Sequence, residues 1–342
     1  DHNHRTILDY GNEIETAETP LMIPGEEVTM NIQNNDVTVP IHINGIGIER
    51  VVEPIEVDGV VSTIQANIDS IKEAGGIASI NHPNYKWAYT ISDLIQVNGA
   101  TAIEVFNGIH DTNVYGSKTR PSAEQIWDGI LSSGKLIYGV AADDSHHYHD
   151  FTPKMANPGR GWICVQSDYL SELSIMDSIK NGDFYASTGV YLDQLDRSDK
   201  SLNISIGTNE DDPLKLTEYV TSITGYEGEL LYETDDLNFN FELPPNSSYM
   251  RATIKSSGGF KTNIALGADP ELCEITKEIE DLCEKASKAV GGGILGIDLM
   301  EDKEKGLVVH EVNNTVEFKG LVKVSKKNIP KEMIDYAVRN IK

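Results

Sequence analysis

Cysteine, basic side chains and long apolar runs are all scarce in this 342-residue chain. Its three cysteines, Cys164, Cys273 and Cys283, are widely spread and form no CxxC pair. That argues against a disulfide framework and fits a reducing, cytoplasmic compartment. No apolar run reaches the roughly 18 residues a membrane-spanning helix needs. Lysine and arginine number 28 against 54 aspartates and glutamates, a formal net charge of −26. Such a surface repels phosphate backbones and anionic lipid, so nucleic acid and membranes are disfavoured as partners. A small anionic substrate could bind only where bound cations supply the local positive charge. The length calls for two or three domains.

What the chain does have is a histidine- and aspartate-rich stretch, Ala142-Asp143-Asp144-Ser145-His146-His147-Tyr148-His149-Asp150, directly after the apolar run Leu136–Val140. A buried strand that ends in a polar loop is where α/β folds place their chemistry. Three imidazoles and three carboxylates in nine residues suit a first-row divalent metal; a solvated loop is the competing reading. Other strands end in a similar way. Ile77-Ala78-Ser79-Ile80 runs into Asn81-His82-Pro83, and Thr101–Phe106 runs into Asn107-Gly108. Pro83 pushes His82 into an extended conformation at the strand mouth. Further strands are expected at Val39–Gly47, with His42 among β-branched residues, and at Gly161–Val165.

Helices are expected from Val61 to Ile71, capped by Ser62 and stopped by Gly75-Gly76, then near Ile91–Gln96, Pro121–Ser133 and Ser171–Lys180. Strands alternating with helices across 1–190 imply a parallel α/β barrel or sheet. From about 200 to 260 period-two alternation between Gly, Asn, Asp and Pro turns predicts a small antiparallel β module, a sandwich without chemistry of its own. Beyond it lie an amphipathic helix (Glu274–Val290), a hairpin (Ile294–Met300 and Gly306–Val312) and a last helix (Lys331–Ile341). Gly291-Gly292-Gly293 reads as a helix stop rather than a phosphate loop, because no Lys-Ser/Thr follows.

Taken in order, several motifs of 1–190 resemble the PHP (polymerase and histidinol phosphatase) family in its CehA-like branch. They are Asp1-His2-Asn3-His4, Pro24–Thr29, Val39–Ile43, Asn81-His82-Pro83, Ile103–Gly108, Asp143–His146, Pro158–Trp162 and Asn181–Gly189. The β module up to about 257 is also similar to the one that follows the barrel in that branch. The resemblance implies an incomplete (βα)7-like barrel over 1–197 and a β module over 198–258. It implies divalent-metal ligands (Mn, Zn or Fe) at His2, Glu27, His42, His82, Asp144 and His146, with Asp1, Asn81, His147 and Arg160 in supporting or substrate-contacting places. The implied reaction is hydrolysis of a small phosphate ester by a metal-activated water, with His82 or His147 protonating the leaving oxygen. The family's His-x-His motif and its following Asp precede the point where this chain starts. Weak metal occupancy and little activity are therefore expected, from a fragment or a crippled site.

Residues 259–342 resemble the C-terminal end of ATP-grasp ligases, chiefly those joining amino acids to a carrier protein in lysine biosynthesis and their glutamate-ligase relatives. The matching text is Lys261–Ala268, Gly293–Met300 and His310–Gly320. The resemblance implies a partial α+β subdomain in which Asp298, Glu311 and Asn313 hold magnesium ions that bridge ATP phosphates. Nothing here corresponds to the nucleotide-clamping half. Two alternatives to the phosphoesterase follow: an ATP-grasp amino-acid or carrier-protein ligase, and a non-catalytic fusion remnant.

Overall fold

Alternating buried and exposed positions draw Gly25–Asn34 (β1) and Val37–Ile46 (β2) into an antiparallel hairpin, with Val28 opposite Ile43 and Thr29 opposite His42. Ile77–Ile80 (β3) pairs antiparallel with β2. Ala102–Asn107 (β4) and Tyr138–Ala142 (β5) then add in parallel. The result is an open five-stranded sheet in the order β1-β2-β3-β4-β5. Trp162–Val165 (β6) and Phe184–Ser187 (β7) form a separate antiparallel pair. The computed structural model describes residues 2–5, 20–35, 37–152, 154–198, 201–207, 217–244, 249–257, 275–302, 306–313 and 329–340. Among these, the expected barrel is corrected to an open mixed sheet. A turn as short as the one between β1 and β2 can join only antiparallel strands, so β2 runs against both of its neighbours.

The helices form where apolar residues recur every three or four positions. In Val60–Glu73 (α1), Val60, Ile64, Ile68 and Ile71 are all buried. Ser62 does not cap this helix; Gly59 holds the N-cap place without a side-chain bond, and Ser62 lies inside the first turn. Ile91–Leu94 (α2) and Ala123–Ser132 (α3) each begin in a capping box, Thr90 with Asp93 and Ser122 with Gln125. Ile43, Ile80 and Ile103 stand in register across β2, β3 and β4 and pack with α1 to α3 in the main core. Burying each such side chain contributes about 1.5–3 kcal/mol. Glu172–Asn181 (α4), capped by Ser171, supplies Met176 and Ile179 to a second cluster with Ile77 and Phe184.

Two three-stranded antiparallel sheets follow. Leu192–Arg197 (β8), Ser201–Ile206 (β9) and Asn238–Glu242 (β12) make one; Tyr219–Thr224 (β10), Leu230–Thr234 (β11) and Arg251–Ser256 (β13) make the other. They share a core of Ile204, Ile206, Ile223 and Phe239. A buried clamp fixes this module to α3. Arg251 donates to both carboxylate oxygens of Asp128, at 2.6 and 2.8 Å, and its guanidinium lies 5.5 Å from the centroid of the Trp127 ring. Tyr249 Oη adds a third bond to Asp128 at 3.1 Å.

The chain divides into two units, 1–266 and 267–342. The second contains Lys277–Ala289 (α5), capped by Thr276, the antiparallel ladder of Gly296–Asp302 (β14) and Gly306–Asn313 (β15), and Ile329–Asn340 (α6). Helix α5 lies against β15. No described helix is long and apolar enough to cross a membrane.

Candidate functional site

The strand ends of the first unit bring together side chains far apart in sequence. Glu27, third in β1, is at the centre. His42 Nδ1, from β2, lies 2.7 Å from Glu27 Oε1, and His2 Nδ1 lies 3.0 Å from Oε2. His82, just past β3, places Nε2 at 3.6 Å from Glu27 Oε1 and 3.9 Å from Oδ2 of Asp144, which follows β5. The His42 ring meets His2 and His82 edge-on, with centroids 5.4 and 4.9 Å apart.

His2 owes its place to Asn3, whose side chain imitates a strand partner. Asn3 N donates to Glu27 O, Asn3 Nδ2 donates to Thr29 O, and Thr29 N donates to Asn3 Oδ1. Asn81 donates from Nδ2 to Glu27 Oε1 and to Asn44 Oδ1, orienting the carboxylate. His146 stands at the rim, half exposed, with Nδ1 at 2.8 Å from the Asp144 carbonyl and 3.6 Å from its Oδ1. His147 is turned to its own loop and accepts from Ala156 N. Arg160 donates to the carbonyls of Gly108 and Thr152. Asp1 lies outside the described residues.

Sequence reasoning missed three members of this neighbourhood. Glu104 is buried under His82 and accepts from His82 N and from Asn107 Nδ2, each at 2.8 Å. A carboxylate inside the apolar strand Ala102–Phe106 was the available signal. The Tyr85 ring packs edge-on against both His42 and His82, and the hydroxyl of buried Tyr89 accepts from His42 N. Neither tyrosine is distinguishable from core in the sequence.

Charge is arranged in opposing pairs. Burial works against ionisation of Glu27, but hydrogen bonds from His42 and His82 and the charges of His42 and His2 outweigh it and hold the carboxyl well below the usual range. Burial likewise disfavours protonated His82, yet its bond to Glu27 and the nearby Glu104 and Asp144 carboxylates push its pKa up. Glu104 is pushed up by its own burial, against the pull of His82 and Asn107.

The donor set fits a divalent cation. One ligand atom each from His2, Glu27 and His42 lie within 4.8 Å of one another. A first-row ion bonded at about 2.0–2.2 Å gathers its ligands into that range. Asn81 Oδ1 is buried with no hydrogen-bond partner among the described residues, which leaves an oxygen beside Glu27 for an ion or its water.

In the second unit the residues of interest are placed by register alone. Asp298 on β14 stands directly across from Glu311 on β15, and Gly296 across from Asn313. Positions 311 and 313 are two apart on β15, and 298 pairs with the first of them. Residues 249–337 match the model of the RimK-like ATP-grasp domain. Curated relatives match over stretches of similar length. The α-aminoadipate–LysW ligase LysX of Sulfurisphaera tokodaii is 41% identical over 86 residues, 25% of this chain and 29% of that protein. The tetrahydromethanopterin:α-L-glutamate ligase of Methanocaldococcus jannaschii is 43% identical over 83 residues, 24% and 28% of the two chains. The glutamate–LysW ligase ArgX of Sulfolobus acidocaldarius is 32% identical over 84 residues, 25% and 30%. The chain thus spans less than a third of the length of these relatives.

These matches correct the functional expectation. Every relative named is a ligase, so the reading as a metal-dependent phosphoesterase, with a phosphate ester as its partner, is overturned in favour of the ATP-grasp ligase alternative. The segment Lys261–Ala268 that carried part of that resemblance lies outside the described residues.

Proposed function

We propose that this chain takes part in the ATP-dependent ligation of an amino acid to a carrier, with Asp298, Glu311 and Asn313 of its C-terminal unit as magnesium ligands. The observation that supports the reading is the match of residues 249–337 to the RimK-like ATP-grasp domain, within which the register of β14 and β15 pairs Asp298 with Glu311. Hard oxygen donors are what magnesium takes. The bound ion, with ATP, would neutralise charge on the phosphate oxygens. The amino acid is of the glutamate or α-aminoadipate kind, by likeness to the relatives' substrates. The test is ADP release from Mg-ATP that requires both the amino acid and a carrier protein. Release by the wild-type chain that E311Q abolishes supports the reading; no release with any amino acid and carrier pair refutes it.

A second reading concerns the first unit, and its geometry favours it independently: a divalent cation centre on His2, Glu27 and His42, with His82 and Asp144 alongside and His146 at the rim. His82 then stands beside the cation, while His147 and Arg160 are engaged elsewhere, with Ala156 N and with the carbonyls of Gly108 and Thr152. The imidazole and carboxylate donors would hold the ion, and Asn81 would fix the face of Glu27 that meets it. Cobalt(II) titration tests this by its visible absorption. Stoichiometric binding that H42A abolishes is expected, and a wild-type protein that takes up no cobalt(II) removes the reading.

A further inference from the structure

Beside the cation centre, the ends of β4 and β5 and the segment Gly159-Arg160-Gly161 are tied into one knot, and a single carboxylate holds it. Asp143 Oδ1 accepts from Arg160 N at 2.6 Å and from Gly161 N at 2.9 Å, and its Oδ2 accepts from Gly159 N at 3.0 Å. Three consecutive backbone amides closing on one carboxylate make an anion nest whose guest is a side chain of the same protein. The surrounding backbone is packed against the knot. A Cβ on Gly108 would come within 2.6 Å of Asp143 O, and one on Gly161 within 2.8 Å of the Phe106 ring. Gly108 N donates to Ala142 O, and Arg160 Nη1 donates back to Gly108 O.

The next residue is Asp144, whose backbone sits in the left-handed region at φ 50°. A non-glycine residue persists there only when its surroundings over-determine it. In that conformation its carboxylate accepts from Asn107 Nδ2 at 3.2 Å and faces His82. We propose that Asp143 is the positioning residue of the cation centre: by holding the 159–161 amides it locks the exit of β5 and so fixes Asp144 toward His82 and Asn107. This rests on the reading of the first unit as a cation site. It assigns Asp143 no contact with the ion. It assigns Arg160 to the knot through its backbone N–H, whatever its side chain does elsewhere.

The experiment compares the full chain with its D143A and D143N variants by two readouts. The first needs no metal. The Asn107 side-chain amide protons report the Asp144 carboxylate by NMR, and the amides of 159–161 report the nest by hydrogen exchange. In D143A the Asn107 signals should move toward solvent-exposed values and protection at 159–161 should be lost. D143N should be intermediate, since its amide nitrogen cannot accept from Gly159. The second readout is cobalt(II) affinity, expected to fall about 10–100-fold in D143A, the range for partners that orient a metal ligand, with the absorption intensity altered. Unmoved Asn107 signals in a folded D143A protein overturn the proposal. So does cobalt(II) affinity equal to wild type with only the thermal midpoint lowered, because a merely structural role gives that pattern. If the wild-type protein binds no cobalt(II), the cation reading fails by itself, and the NMR readout still decides whether Asp143 fixes Asp144.

Discussion

The two units of this protein bring their candidate donor residues near one another in opposite ways. In the second unit, Asp298, Glu311 and Asn313 lie within 16 positions of one another, and one hairpin register aligns them. In the first, His2, Glu27, His42, His82 and Asp144 come from separate segments and meet only because five strands order themselves side by side. Sequence comparison matches the segment that contains Asp298, Glu311 and Asn313. The distributed cluster is visible as geometry, with imidazole and carboxylate atoms within hydrogen-bonding reach. Proximity in sequence and proximity in space thus single out different units of one chain.

The largest expected effect tests whether the first unit is held as one body. Arg251 and Asp128 are both buried and bonded at two atoms, so D128A leaves an uncompensated guanidinium in the interior. A loss of about 3–5 kcal/mol is expected, read as a lowered urea midpoint. A loss below about 1 kcal/mol would show the clamp to be no more than a surface pair. Next in size come the ligand deletions, which set the two clusters against each other. E311Q should lower Mg-ATP-dependent ADP release at least about 100-fold, beyond the range for outer partners, and leave cobalt(II) binding untouched. E27Q should do the reverse. If either variant affects both readouts, the two clusters are not independent.

A smaller effect concerns pH in the metal-free protein. Glu27 is held below its ordinary value of 4.5, so the unfolded chain binds the extra proton as the solution is acidified. Its contribution to stability is fully present above about pH 4.5 and lost as pH falls toward the folded-state value. Urea midpoints between pH 6 and pH 3 should therefore drop less steeply in E27Q; parallel slopes would contradict this. The smallest expected change is at Tyr185, pushed up to about 12 chiefly by burial, with Cys164 adding to the shift. Its share of stability is present below pH 10 and lost as pH rises through 12. Spectrophotometric titration should show Tyr185 among the phenols that ionise late, with buried Tyr89, and Y185F should remove one phenol from that late group.

Much of the secondary structure was legible because it is written locally. The spacing of Val61, Ile64, Ile68 and Ile71 pointed to α1, whose buried face carries Val60 in place of Val61, and the strand at Ile77–Ile80 emerged with its expected bounds. The cap was misread: Ser62 has the right chemistry but stands inside the helix, and Gly59 takes the cap place. The barrel was misread for a deeper reason. Alternation of strands and helices does not state direction, and the hairpin of β1 and β2 reversed one strand. Glu104 escaped notice because a carboxylate in a strand reads as surface until Asn107 and the His82 backbone are seen to satisfy it.

By itself the sequence determined the elements, the ladder of β14 and β15 and the residue types available for ligation, since periodicity and register depend on near neighbours. Only the tertiary structure decided that Glu27 would be shared by three imidazoles, that Asn3 would stand in for a strand, and that Asp143 would hold a loop 16 residues away. Those outcomes depend on which strands pack side by side, and no short stretch of chain contains that information.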